Sequence, residues 1–535
     1  MKTPSSSRPA AGATEPAIPP VPEGEAESSL LFATHSPRPP TVPDGSAFLE
    51  DLHLGHIIDA VLAGRAQYDL RGSFLAPLGD EDAVAYRHEV FRDLEEPGLR
   101  RGVESFAASM RSVRSALEQA GKLHYRRQRQ AWSLDAAVLY TDAVLALART
   151  LEAGPRSRAL TGFSARLADY AGSAGFAALR EEGRSVREGL GRVRYLLQIK
   201  GPTVTVRAYA GEEDYNARVR DTFARFEQPE DAEHVEQRSS SVDMDHVEAQ
   251  VLDMVAGLFP DEFANLDAFT ATYERFIAPL LAQFDRDAQF YLAWLEHTEA
   301  LARDGLPFCY PDVGRESKEV HVQDAFDLAL AHGARGADPP RAIVLNPIDL
   351  DDGERIMVVA GPNQGGKTTY ARAFGQLHFL GALGLTVPAR RAQLFLPDAV
   401  YTHFERGESH TDTVGKLHEE LLDVRATLAA ATGDSVIVLN EIFTSTSLED
   451  AVYLGSRVIE RIDALGALCV CVTFVEELAD ASEATVSIST RADPDDPTAR
   501  TFEFVRRRPD GLAHAVALAR RHRLDYETLR GRLTR

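Results

Sequence analysis

The sequence predicts a multidomain fold: a mostly α-helical domain with a small β insertion, followed by an α/β domain built around a phosphate loop. Three observations predict it. Long Ala/Leu/Arg/Glu-rich segments with apolar residues at helical spacing run from Phe48 to about Leu197. A β-branched alternation, Thr203-Val204-Thr205-Val206-Arg207-Ala208-Tyr209, interrupts the helical pattern and ends at Gly211. Beyond about residue 315, short apolar strands alternate with helical segments, the signature of an α/β sheet.

In chain order, residues 1–45 are dense in Pro, Ser, Ala and Gly. Such a segment buries too little apolar surface to offset the entropy of ordering, so a disordered tail is expected. Residues 46–314 form the helical domain, with Leu134, Val138 and Leu145 on one helix face and the β insertion near 200–235. Helical spacing resumes with Val247, Val251, Met254, Val255 and Leu258, then with Phe269, Tyr273, Phe276, Ile277, Leu280 and Phe284. The aromatic stripe suits helix packing better than a ligand box. Residues 315–535 form the α/β domain, closing on a helical segment from Leu512 to Leu533.

A formal net charge of −23 argues against a protein that coats nucleic acid along its whole surface, so any such contact has to be local. The local basic spots are His124-Tyr125-Arg126-Arg127-Gln128-Arg129, Arg506-Arg507-Arg508 and Arg520-Arg521-His522-Arg523, each read first as a solvated face. The N-terminus has no apolar core of a secretory signal, and the longest apolar run, around Gly466 to Val475, is too short to cross a bilayer. A cytoplasmic chain with no membrane partner is expected. Three cysteines, Cys309, Cys469 and Cys471, make neither a disulfide framework nor a metal site and are expected as small core residues.

The chemistry concentrates in Gly361-Pro362-Asn363-Gln364-Gly365-Gly366-Lys367-Thr368-Thr369, directly behind the apolar run Ile356 to Ala360. Glycines let successive main-chain N–H groups face the β and γ phosphates of ATP, Lys367 neutralises them, and Thr368 offers a hydroxyl to Mg²⁺. A second segment, Val436-Ile437-Val438-Leu439, reads as a buried parallel strand ending on Asn440-Glu441. Ligands bind outside the carboxyl ends of such strands, so this pair should lie beside the phosphates. Glu441 is the candidate general base, and Asn440 could hold a metal-bound water without adding charge.

These segments resemble the MutS family of DNA mismatch-repair ATPases, of the ABC-type superfamily. The family's GPNMGGKST is similar to Gly361 to Thr369, and its DEIGRGTS to Asn440-Glu441-Ile442-Phe443-Thr444-Ser445-Thr446-Ser447, with Asp450 beyond. The family's ATHxxEL is similar to Val472 to Leu478, Val387-Pro388-Ala389 resembles its strand and turn after the loop, and Asn346-Pro347-Ile348-Asp349-Leu350 resembles the segment leading into its nucleotide pocket. More loosely, Tyr68-Asp69-Leu70, Pro77-Leu78 and Tyr86 to Val90 resemble the start of its core and lever. The resemblance implies an ABC-type ATPase domain, a helical core/lever, a reduced clamp near Thr203 to Tyr209, a homodimer, and ATP binding and hydrolysis coupled to clamping on mismatched or otherwise structured DNA.

The chain departs from the family pattern at several places. Asn440 replaces an aspartate, and Phe474 replaces the histidine that senses the γ-phosphate. The loop that completes the partner's site is not recoverable between Gly407 and Glu420, where Ser409, Thr411 and Thr413 are approximate candidates. No counterpart of the mismatch-reading domain or of a nuclease-like tail is expected, and Phe48-Leu49-Glu50 is read as a coincidental match to the family's Phe-x-Glu wedge. These differences leave open a second reading, a slow-turnover nucleotide-dependent switch or scaffold acting on a protein partner. A small-molecule kinase is disfavoured because the strand-end pair suits water activation.

Overall fold

The computed structural model describes residues 29–33, 39–211, 243–335, 342–361, 365–405, 415–492 and 500–508, with positions 524, 526 and 530. Its first half is helical. α1 (Ala47–Asp51), α2 (Leu54–Val61), α3 (Arg71–Phe74) and α4 (Glu81–Leu94) lead into two long helices, α5 (Pro97–Lys122) and α6 (Arg126–Leu151), then α7 (Arg158–Ala171) and α8 (Ala174–Arg192). Local sequence explains the starts: Asp80, Ser157 and Ser173 each accept a hydrogen bond from the main-chain N–H three residues on, and Pro97 opens α5.

By length and composition alone α6 is long and apolar enough to cross a membrane, with a window of mean hydropathy 1.3, half of it buried inside the protein. The expectation that no segment is long and apolar enough therefore fails for this helix. Its apolar residues pack instead against α5, α7 and α8.

The β insertion is a hairpin, β1 (Tyr195–Lys200) with β2 (Thr203–Ala208), turning through Gly201 at φ 61°. Only its second strand is evident in the sequence, because Tyr195-Leu196-Leu197 fits a helical continuation as well as a strand. Residues 212–242, which include the rest of the expected insertion, lie outside the described residues. The chain resumes with α9 (His246–Leu258), started by a capping box between Asp245 and Glu248, then α10 (Pro260–Thr272) and α11 (Pro279–Ala302). The aromatic stripe crosses the break between these last two, where Pro279 restarts the helix; Phe269, Phe276 and Phe284 are all core residues.

The expected tail is corrected at residues 29–33. Leu30 and Leu31 are buried, and side chains of the helical half satisfy the surrounding main chain. Leu30 N–H donates to Asp287 Oδ2 (2.9 Å), Tyr86 Oη–H to the Ser29 carbonyl (2.8 Å), and Arg87 Nε–H to the Leu31 carbonyl (3.2 Å). Composition missed this anchor because two leucines in a polar stretch barely alter its average. Residues 1–28 and 34–38 lie outside the described residues. Phe48 is also core, its ring 5.2 Å from that of Phe379.

The second half contains two sheets. β3 (Asp312–Gly314), β4 (Val320–Ala325), the short helix α12 (Leu328–Ala334) and β5 (Asn346–Leu350) come first. They are followed by β6 (Ile356–Ala360), α13 (Lys367–Ala382), β7 (Arg391–Phe395), β8 (Val400–Phe404), α14 (Lys416–Ala430) and β9 (Val436–Asn440). The series closes with α15 (Leu448–Leu465), β10 (Leu468–Val472), β11 (Thr485–Ala492) and β12 (Arg500–Arg506). The larger sheet has the order β12-β11-β6-β10-β9-β8 and is parallel except where β11 meets β12; the smaller has the order β3-β7-β4-β5. β6, β9 and β10 are buried at every position, as central parallel strands covered on both faces require. Cys469 and Cys471 sit in β10, where burial raises their thiol pKa values, and Cys309 is half-buried. The predicted C-terminal helix lies almost wholly outside the described residues.

Two outcomes test the packing. Leu30→Ala should destabilise the chain by about 2–5 kcal/mol in urea unfolding, the cost of emptying a buried leucine site. His378, inside α13, is held neutral: burial pushes it down to about 4 while its Nδ1 faces the Phe374 carbonyl at 2.9 Å. A depressed histidine contributes stability that is complete above its ordinary pKa and is lost as pH falls toward the folded value. Between pH 7 and pH 5 this residue should account for a loss of about 2 kcal/mol, absent in His378→Leu, measured by the same unfolding at both pH values.

Candidate nucleotide site

The site forms where β6 runs into α13. Gly361, the residue after β6, has φ 143°, and Gly366, which precedes the helix, has φ 89°; both are conformations that L side chains rarely adopt. A Cβ on Gly366 would lie 3.3 Å from Phe502 Cδ1, a tight contact, and the backbone conformation favours glycine here. Gly365 is buried, while Pro362, Asn363 and Gln364 lie outside the described residues.

Lys367 is the first residue of α13 and is 4% exposed. Its Nζ donates to the Gly361 carbonyl at 2.7 Å, closing the loop on itself. Burial lowers its pKa, and the negative charge of Glu441 opposes that shift. Thr368 Oγ1 donates to Asn440 Oδ1 at 2.9 Å, joining the start of α13 to the end of β9. Thr369 follows in the first turn, half-buried.

Glu441 is the residue after β9, with φ 58° and its N–H donating to the Val472 carbonyl at the end of β10 (2.8 Å). The structure thus brings together Gly361, Lys367, Thr368, Asn440 and Glu441 at the carboxyl ends of β6, β9 and β10. Thr446 and Ser447 both donate to Asp450 Oδ2 (3.1 and 2.8 Å), and Ser447 caps α15, which fixes the turn beyond. Phe474, two residues past β10, is 45% exposed. Ser409, Thr411 and Thr413 lie outside the described residues.

Beside the loop, the sequence places Asn346 in the segment leading into the pocket without giving it a role, and it gives no sign of a role for Tyr370. Asn346 donates from Nδ2 to the Phe502 carbonyl (3.0 Å) and accepts from Phe504 N–H (2.7 Å), holding edge strand β12 next to Gly366. Tyr370 Oη–H donates to the Pro347 carbonyl (3.0 Å), with its ring 4.5 Å from that of Phe504. No local pattern announces these contacts, since they depend on β12 folding back beside β11.

Chemically, a buried lysine at the start of a helix with no side-chain cap places a cation at the positive end of the helix dipole, which suits a phosphate chain. The oxygens of Thr368 and Asn440 suit the coordination shell of a hard divalent cation. Fold and geometry agree with similarity. A family model for MutS domain V matches residues 357–513.

Over this domain the chain is similar to MutS proteins. It is 34% identical over 124 residues to the DNA mismatch repair protein MutS of Halalkalibacterium halodurans, covering 23% of this chain and 14% of that protein. It is 30% identical over 186 residues to the DNA mismatch repair protein Msh2 of Dictyostelium discoideum, covering 34% and 20%. To the Endonuclease MutS2 of Thermus thermophilus it is 30% identical over 190 residues, covering 35% and 25%. The similarity thus spans a quarter or less of each of these MutS relatives.

If Asn440 is the weak point of a metal site, Asn440→Asp should lower the Mg²⁺ concentration that half-saturates nucleotide binding by about tenfold, ~1.4 kcal/mol. Titration of Mg²⁺ against a fluorescent ATP analogue measures it, and an unchanged midpoint would remove Asn440 from the metal shell.

Proposed function

We propose that this chain is an ATP-dependent DNA-binding protein, in which nucleotide held between Gly361 and Thr369 draws two copies together and the helical half acts as a lever on mismatched or otherwise structured DNA. One observation carries the reading: Lys367, Thr368 and Asn440 meet beside Glu441 at adjoining strand ends. Lys367 and the main-chain N–H groups opening α13 hold the phosphates. Glu441 orients water and takes its proton. Mg²⁺, when bound by Thr368 and through water by Asn440, would neutralise phosphate charge. The names of the relatives support DNA as the partner, and the family supports a homodimer. Under this reading the protein works in the cytoplasm.

A second reading, a slow-turnover switch for a protein partner, is favoured by specific contacts. Arginines of two basic spots are already engaged by carboxylates: Arg126 with Asp267, Arg127 with Asp253, Arg506 with Asp351 and Glu354, and Arg508 with Asp480. Phe474 also presents an apolar ring where a polar sensor would serve hydrolysis.

Analytical ultracentrifugation with and without ATP, over mismatched, branched and plain duplexes, separates the two. Clamping on DNA predicts an ATP-dependent dimer that binds structured DNA at low salt, weakens as salt rises and turns ATP over faster with DNA. No DNA binding in any nucleotide state at low salt would sink that reading and leave the switch.

A further inference from the structure

Beyond the strand-end pair, a buried carboxylate on another element reaches the same turn. Glu420, on α14, is 7% exposed, and its Oε1 accepts from the Phe443 main-chain N–H at 2.5 Å. Its Oε2 is also buried and has no hydrogen-bond partner among the described residues. His403, on β8, places Nε2 3.8 Å from Glu420 Oε1, and β8 pairs directly with β9, His403 opposite Leu439 and Phe404 opposite Asn440.

The held turn is unusual in its backbone. Glu441 and Phe443 both have φ 58°, the left-handed region that disfavours side chains, and the residue between them, Ile442, is buried. Such a turn persists only where its surroundings over-determine it. One end is fixed by Glu441 N–H on the Val472 carbonyl, the other by Phe443 N–H on Glu420. Thr444 Oγ1, one residue on, donates to Glu405 Oε1 (3.1 Å), which also pairs with Lys416 at the start of α14.

We infer that Glu420 is the positioning residue for Glu441, holding the left-handed turn that aims the general base at the nucleotide. The inference rests on the ATPase reading above. A buried acceptor oxygen on the Phe443 N–H ties the turn after β9 to α14, and its charge strengthens that bond. The charge-assisted bond fixes Phe443, and through it the direction in which Glu441 leaves β9. A shift of α14 would reach the general base through this contact.

The test uses the full chain and three readouts: single-turnover ATP hydrolysis, affinity for a fluorescent ATP analogue, and thermal midpoint. Glu420→Ala and Glu420→Asp, which removes and retracts the acceptor respectively, should slow hydrolysis about tenfold to a hundredfold, as misplacement of a base does, with nucleotide affinity within about threefold. Glu420→Gln keeps an acceptor oxygen at the same reach and should recover hydrolysis to within about threefold of the parent. Should Glu420→Ala fail to fold, the aspartate and glutamine variants still decide. Unchanged hydrolysis in Glu420→Asp, or equal loss of hydrolysis, affinity and thermal midpoint in every variant, would overturn the positioning role. Glu441→Gln separates the two layers. If it is slow while Glu420→Asp is not, only the positioning role falls; if it hydrolyses like the parent, or the parent does not hydrolyse at all, the ATPase reading falls and this inference with it.

Discussion

The structure depends on the burial of one helix, α13, along nearly its whole length. Its first residue is the site lysine, and its last turn is gripped by the helical half: Leu78 N–H donates to the Ala382 carbonyl (2.6 Å) and Arg87 to the Leu383 carbonyl (2.6 Å). Midway, Gly375 lets Leu52 approach so closely that a Cβ would lie 2.7 Å from Leu52 Cδ1. Beside it the Gln376 amide is used fully, donating to the Leu52 carbonyl and Asp327 and accepting from Leu328 N–H. Arg372 ties Asp327 to His53. Close-packed interiors transmit displacement rather than absorb it, and these contacts join the start of α13 to α1, α2 and α4 as one packed unit.

Much of this was legible in the sequence for a physical reason: central strands and phosphate loops are built from consecutive residues. Ile356 to Ala360 and Val436 to Leu439 have to be apolar without interruption because both faces are covered, and the glycines at 361 and 366 have to be glycine because of their φ values. The helical half was visible through its periodicity, although α6 exceeded the expected apolar length. Contacts made by single residues across long separations were not visible. Tyr195 to Lys200 could not be told from helix until Gly201 turned it back onto β2, Ser29 to Ala33 was lost in its neighbours' composition, and Asn346, Phe502 and Glu420 act only through folded proximity.

Two of the departures, Asn440 and Phe474, have different structural consequences. Asn440 keeps a contact with Thr368, so losing the charge leaves the geometry of the strand end in place. Phe474 does not fill an interior gap; it faces outward beside the site, although Thr473 and Val475 on either side are buried and joined by a hydrogen bond (2.9 Å). Substitution has therefore changed what the site offers to its surroundings more than how it is built.

Arg87 sits where three parts of the chain converge, with no carboxylate in ion-pair contact among the described residues, although the charge of Asp287 favours its cation. Its guanidinium is fully buried, flanked by the rings of Phe32 and Phe290, and shared between the carbonyls of Leu31 and Leu383. A recombinant version trimmed to begin at the first helix would look harmless by composition. It would take away one of those acceptors and one of the two rings, exposing an interior cation to incoming water directly behind the carboxyl end of α13. A shortened version that keeps this anchor therefore has to retain Ser29 to Ala33.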